Sequence, residues 1–147
     1  MVSQNENPAT SIGFQLRELR VTSYLINEEQ LTPENEFTFG IQIDHSFDLN
    51  GDVRVVRVKL TVGYMPKQVL VELHLECYYQ LAGYQEWLSF QLAADQAAGA
   101  LPIGLATALN SIAISTTRGV LYERLRGTSL QGIVLPVVDP SAFQESN

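Results

Sequence analysis

Phe37-Thr38-Phe39-Gly40-Ile41-Gln42-Ile43-Asp44-His45-Ser46-Phe47-Asp48-Leu49 is the stretch that decides the fold of this chain. Phe37, Phe39, Ile41, Ile43, His45, Phe47 and Leu49 take every second position, and Thr38, Gln42, Asp44, Ser46 and Asp48 stand in the gaps. Side chains of an extended chain alternate between two faces, so this period of two predicts a strand with one buried face. Asn50-Gly51 follows at once and supplies the two positive-φ residues of a type I′ hairpin turn. The same region opens like a calcium loop, Asp48-Leu49-Asn50-Gly51-Asp52. Lys59 stands where the twelfth-position glutamate of such a loop would be, so the hairpin turn is the better reading.

Working outward, Val53–Tyr64 reads as the returning strand. Val56, Val58, Leu60, Val62 and Tyr64 share one face, and Arg57, Lys59 and Thr61 the other. Val53 and Val55 fall out of that phase and predict a β-bulge beside the turn. Pro66-Lys67 reverses the chain again. Val69, Val71, Leu73, Leu75, Cys77, Tyr79 and Leu81 then line one face of a further strand, opposite Glu72, His74, Glu76, Tyr78 and Gln80. Upstream, Phe14–Ile26 is extended, with an apolar phase that slips by one residue near Glu18, the mark of a bulge. Four strands joined by short turns give an antiparallel sheet with one dry and one wetter face.

After Gly83 the β-branched residues give way to Ala, Leu and Gln between Leu88 and Ala100, a helical or loop-helical stretch broken at Gly99 and Pro102. From Ile103 to Arg126 the apolar spacing becomes helical through Leu105, Leu109, Ile112 and Thr116. Gly119 is expected to interrupt this helix late, and Gly127 to cap it. Gly132, Pro136 and Pro140 keep Ile133–Val138 extended. The fold class is therefore α+β, a four-stranded antiparallel sheet followed by one long helix. Residues 13–143 are expected to form one domain and residues 1–12 a flexible tail.

Composition narrows the function. The 147 residues are 46% hydrophobic and 17% charged, with a net charge of −7. That balance describes a globular chain and disfavours nucleic acid as a partner, because the phosphate backbone is repelled. No apolar run reaches the roughly 20 residues of a membrane-spanning helix, and Met1–Thr10 has neither the basic nor the apolar region of a signal peptide. A cytoplasmic location is expected. Cys77 stands alone and forms no intramolecular disulfide.

Catalytic patterns are scarce. No phosphate-cradling glycine pattern is present. His45, inside an apolar register, reads as a hydrogen-bonded core histidine before it reads as a base, and Cys77 as a packing residue. Glu72, His74 and Glu76 share a face and could touch one metal ion. Across the strand pair, however, Arg57 and Lys59 are positioned to neutralise the two carboxylates. Arg118, Arg124 and Arg126 cluster where a helix C-terminus favours cations. We expect neither an enzyme nor a bound cofactor. Aromatic residues concentrate instead around the end of the fourth strand. Tyr79, Tyr84, Trp87 and Phe90 are the candidate residues for an apolar, peptide-binding groove.

Several stretches resemble the SecB family of bacterial export chaperones. Phe14-Gln15-Leu16-Arg17-Glu18-Leu19 is similar to that family's opening strand. Tyr79-Gln80-Leu81-Ala82-Gly83 is similar to the close of its fourth strand, Thr117-Arg118-Gly119 to a Ser-Arg-Gly late in its long helix, and Leu135–Phe143 to its Ala-Pro-Val-Asn-Phe-Asp-Ala-Leu-Phe. The resemblance implies a SecB-like sheet and helix, with the second helix truncated near Asp139. It implies an ATP-independent chaperone that assembles as a dimer or tetramer and holds unfolded polypeptide clients, in protein export or beside one dedicated partner. The alternatives are a SecB-fold scaffold linked to a toxin–antitoxin pair and a small-ligand or metal-binding protein.

Overall fold

The computed structural model describes residues 12–28, 37–48, 52–64, 68–93 and 101–143. Four strands, β1 (Gly13–Ile26), β2 (Phe37–Phe47), β3 (Val53–Tyr64) and β4 (Gln68–Ala82), form one antiparallel sheet in the order β1-β4-β3-β2. A short helix α1 (Tyr84–Ala93) and a long helix α2 (Ile103–Arg124) follow, and a 3₁₀ turn spans Pro140–Phe143. That turn is all that stands among the described residues where a second long helix would begin. Asp139 opens it by accepting from the Ser141 backbone N–H at 2.9 Å and hydroxyl at 2.7 Å. The α+β architecture expected from the strand and helix periods is the one observed.

The alternating residues of β3 and β4 form the floor of the core. Val56, Val58, Leu60 and Val62 lie beside Val71, Leu73, Leu75, Cys77, Tyr79 and Leu81, all buried. Helix α2 covers this floor with Leu109, Ala113, Thr117, Leu121 and Leu125, one every four residues. Truncating a core leucine such as Leu60 or Leu73 to alanine would cost about 2–5 kcal/mol. The buried stripe differs from the expected one in its later members. Thr117 is fully buried while Thr116 is only half-buried. Burial of Thr117 is tolerated because its hydroxyl donates to the Ala113 carbonyl at 2.7 Å, leaving no unsatisfied polar group. Gly119 does not interrupt α2; a Cβ there would meet open space, so the residue costs propensity without breaking the helix. Gly127 takes φ 76° just past the helix end.

Two register shifts punctuate β1 against β4, at Leu16/Glu18, as expected, and at Val21/Ser23. The bulge expected beside the β2–β3 turn is not there. Val53, Arg54, Val55 and Val56 pair in unbroken register with both neighbours where both are paired. Arg54 takes the inward position, so Val53 and Val55 fall naturally on the opposite face. The β3–β4 shift lies at Val62/Gly63, where a side chain on Gly63 would sit 2.5 Å from the Gln68 carbonyl oxygen. Leu70 is the extra residue on β4. It is buried beside Val71, and Val69, expected on the apolar face, is turned out and exposed. The turns at Asn50-Gly51 and Pro66-Lys67, Leu49, and the break at Gly99 lie outside the described residues.

Arg118 closes the fold. Its Nε donates to the Leu135 carbonyl at 2.9 Å and its Nη2 to the Pro136 carbonyl at 3.1 Å, holding the extended C-terminal segment against α2. The three arginines grouped as one cationic cluster therefore act separately. Arg124 lies over the Tyr24 ring at 5.4 Å, and Arg126 pairs with Glu123 at 3.1 Å.

Candidate functional site

The two faces of the sheet differ in chemistry. On the face away from α2, Arg57 pairs with Glu76 at 2.9 Å and Lys59 with Glu72 at 3.6 Å, across the β3–β4 pair. His74 Nε2 lies 2.8 Å from Glu72 Oε1, and the Glu72 carboxyl is held below its usual range by that hydrogen bond first and by Lys59 also. Glu76 is thus taken up by Arg57, and Glu72 by His74 and Lys59. No cluster of three metal-ligating side chains occurs among the described residues. An open depression of about 530 Å³ on this face is walled by the same charged groups, including Arg57, His74 and Glu76. Tyr78 donates to Glu76 at 3.1 Å and lies under Arg20, which itself pairs with Glu18 at 2.7 Å.

The α2 face is apolar, and α2 covers only part of it. The helix lies over β3 and β4. Val21, Tyr24 and Ile26, in the second half of β1, pack against the covered core. Phe14, Leu16 and Leu19, in the first half, point to the same side but remain 40%, 38% and 41% exposed. They form an open apolar strip on an edge strand beside the start of α2. The Phe14 ring meets Tyr79 edge-on at 6.2 Å between centroids. Ile12 also packs against this corner of the core.

Of the aromatic residues singled out in the sequence, Tyr79 meets the strip through Phe14, and Tyr84 and Trp87 share its buried cluster. Tyr79 is fully buried, and Tyr84 and Trp87 nearly so. Phe90 belongs to α1. Gly83, at φ 83°, turns the chain from β4 into α1, a conformation that glycine adopts without strain. Tyr84 then stacks on Phe47 at 5.0 Å, and Trp87 tilts against Tyr84 at 5.9 Å. The Tyr79 hydroxyl donates to the Leu109 carbonyl at 3.3 Å; burial, with Cys77 adjacent, pushes its ionisation far above the usual range. Burial likewise holds the Cys77 thiol up to about 11, so this cysteine packs as an inert, protonated group.

A polar bridge crosses the core next to these rings. Arg54 Nε donates to His45 Nδ1 at 2.9 Å, and His45 Nε2 lies 2.5 Å from Asn110 Oδ1. The pattern assigns the proton to Nε2, which donates to Asn110. The Arg54 guanidinium lies 4.1 Å over the Phe47 ring. His45 is therefore a structural link between β2, β3 and α2, with both ring nitrogens engaged. Sequence alone does not mark the exposed strip as a site, because Phe14, Leu16 and, past the slip near Glu18, Leu19 alternate as core residues do. What separates them from core residues is the path of α2.

Among the described residues no helix is long and apolar enough to cross a membrane. No protein-family profile matches this chain, and no curated protein sequence matches it. Among solved structures, the chain is similar to the Mycobacterium tuberculosis Rv1957 SecB-like chaperone, described in complex with a ChAD peptide from the Rv1956 HigA1 antitoxin. The two share 12% identity and a TM-score of 0.57, over 85% of this chain and 87% of that one. A protein of unknown function from Streptococcus agalactiae aligns with a TM-score of 0.46 at 12% identity, over 86% of this chain and 99% of that one. The likeness to the first establishes a SecB-like fold.

Proposed function

We propose that this chain is an ATP-independent holding protein that binds extended polypeptide in an apolar groove and performs no chemistry. The observation that carries the reading is the strip of Phe14, Leu16 and Leu19, left uncovered on the apolar face of an edge strand. An exposed apolar strip flanked by polar residues is a usual mark of a polypeptide-binding surface. Tyr79 meets the strip through Phe14, and we assign Tyr79, Tyr84, Trp87 and Phe90 to the client-binding groove as part of this proposal. The SecB-like fold and a structural neighbour described with a bound peptide support the reading. The net charge of −7 turns it away from nucleic acid. We place the protein in the cytoplasm, as a single domain over residues 13–143.

A homo-oligomer, dimer or tetramer, is part of the proposal. Among the described residues the outer edge of β1 is unpaired, and it offers backbone groups to a second copy. An antiparallel pairing centred on Leu19 would set Glu18 of each copy opposite Arg20 of the other. The apolar strip would then continue from one copy into the next.

The test is suppression of aggregation of a denatured client at stoichiometric amounts, with an L16D/L19D chain beside the wild type. The wild type should suppress aggregation and the variant should not, with equal far-ultraviolet circular dichroism. No suppression by the wild type would sink the reading. A second reading, a scaffold for one dedicated polypeptide such as an antitoxin segment, is favoured by the peptide bound to the structural neighbour. Capture of a single partner, with no affinity for unfolded chains, would select it.

A further inference from the structure

We propose that the indole N–H of Trp87 is the hydrogen-bond donor for a main-chain carbonyl oxygen of the bound polypeptide, reached when α1 swings about Gly83. The inference rests on the polypeptide-holding reading and adds an anchoring atom to it.

Trp87 Nε1 is buried and has no hydrogen-bond partner among the described residues. Buried indole donors ordinarily find an acceptor, so this one is matched to a group that the resting chain does not supply. Polar side chains in this part of the core are already directed elsewhere. Tyr79 donates to Leu109, Arg54 to His45, and His45 to Asn110. Trp87 belongs to the same apolar cluster as Tyr79, which carries Phe14 of the open strip against its ring. The orphan donor and the open strip therefore adjoin one body of side chains.

The way in is the helix that carries the indole. Helix α1 leaves the sheet at Gly83, whose positive φ makes it a hinge without a side chain. Among the described residues, the buried side chains that seat α1 are aromatic, Tyr84 on Phe47 and Trp87 on Tyr84. Ring contacts can slide and re-form on a client side chain. The acceptor's chemistry follows from the surroundings. An amide carbonyl is neutral and accepts strongly, so it enters a buried site at a lower desolvation cost than a carboxylate. A polypeptide backbone offers one such carbonyl per residue whatever its sequence, which suits a protein that holds varied clients.

Trp87 is the sole tryptophan, so one indole resonance reports on the site. The experiment follows that resonance in the full-length, ¹⁵N-labelled chain during titration with reduced, carboxymethylated α-lactalbumin, with affinity measured in parallel for wild type and W87F. The indole proton should move downfield as client binds. W87F, which keeps a ring but lacks the donor, should bind about fivefold more weakly while unfolding at the same or higher denaturant concentration. Client binding with an unmoved indole resonance, or W87F binding as tightly as wild type, overturns this inference and leaves the holding function standing. A resonance that shifts with the chain's own concentration and ignores client assigns the acceptor to a second copy, and also overturns it. A wild-type chain without affinity for the client overturns both. Should W87F fail to fold, the wild-type resonance decides alone.

Discussion

Arg54 donates through Nε to Nδ1 of His45 at 2.9 Å, and this contact fixes which way the imidazole faces α2. With Nδ1 accepting, Nε2 carries the proton and meets Asn110 Oδ1. Replacing His45 by phenylalanine removes both hydrogen bonds and takes one partner each from Arg54 and Asn110. We expect a loss of about 2 kcal/mol. Chemical denaturation of H45F checks this, and a loss below about 0.5 kcal/mol would show that the bridge does not hold α2 to the sheet.

The Arg118 contacts to Leu135 and Pro136 are charge-assisted and partly shielded from water. R118A is expected to lose about 2–3 kcal/mol and to free the segment around Leu135 for proteolysis. R118K keeps the charge but lacks the planar fork that reaches two successive carbonyls, and should recover less than half of that loss. Denaturation midpoints together with limited proteolysis distinguish this clamp from a purely electrostatic role at the helix end.

Stability should fall on the alkaline side. Burial holds the folded Cys77 thiol up to about 11, whereas its ordinary value is 9.0. Between these values the unfolded chain binds fewer protons than the folded one, so stability is full below pH 9 and is lost as pH rises towards about 11. Tyr79, raised by burial, acts in the same direction at still higher pH. Denaturant midpoints across this range should fall more steeply for wild type than for C77A. Parallel curves would remove Cys77 as the cause.

Self-association through β1 can be tested by charge reversal. Glu18 and Arg20 lie on one face, two positions apart, and are exposed. E18R or R20E alone would set like charges across the proposed two-fold axis and should shift the chain towards monomer in light scattering. The double reversal E18R/R20E restores complementarity and should restore assembly. A wild-type monomer at micromolar concentration, or identical masses for all four chains, would count decisively against pairing through this edge.

Much of the architecture was readable from local pattern. Phe37 to Phe47 alternates in sequence and pairs in unbroken register with β3, and the slip near Glu18 is a register shift in the sheet. The cross-strand ion pairs of Arg57 and Lys59 followed from the same alternation. The misreadings arose where a polar residue occupies an inward position. Arg54 and Thr117 broke the apolar phase, yet both are buried with their polar atoms hydrogen-bonded, so periodicity of hydrophobicity could not place them. Leu70 and Val69 exchanged places because one extra residue in β4 inverts the faces beyond it.

The aromatic crossover was visible as composition, but its burial was not. By itself the sequence determined the strands, their faces and the α+β order, because alternation and helical spacing are properties of neighbouring residues. Only the tertiary structure decided that α2 covers β3 and β4 and leaves Phe14, Leu16 and Leu19 open. It also decided that Tyr79, Tyr84 and Trp87 are buried, with the indole donor unpaired among the described residues. Those outcomes depend on where a helix beginning at Ile103 settles relative to a strand beginning at Gly13, and no local pattern carries information over that separation.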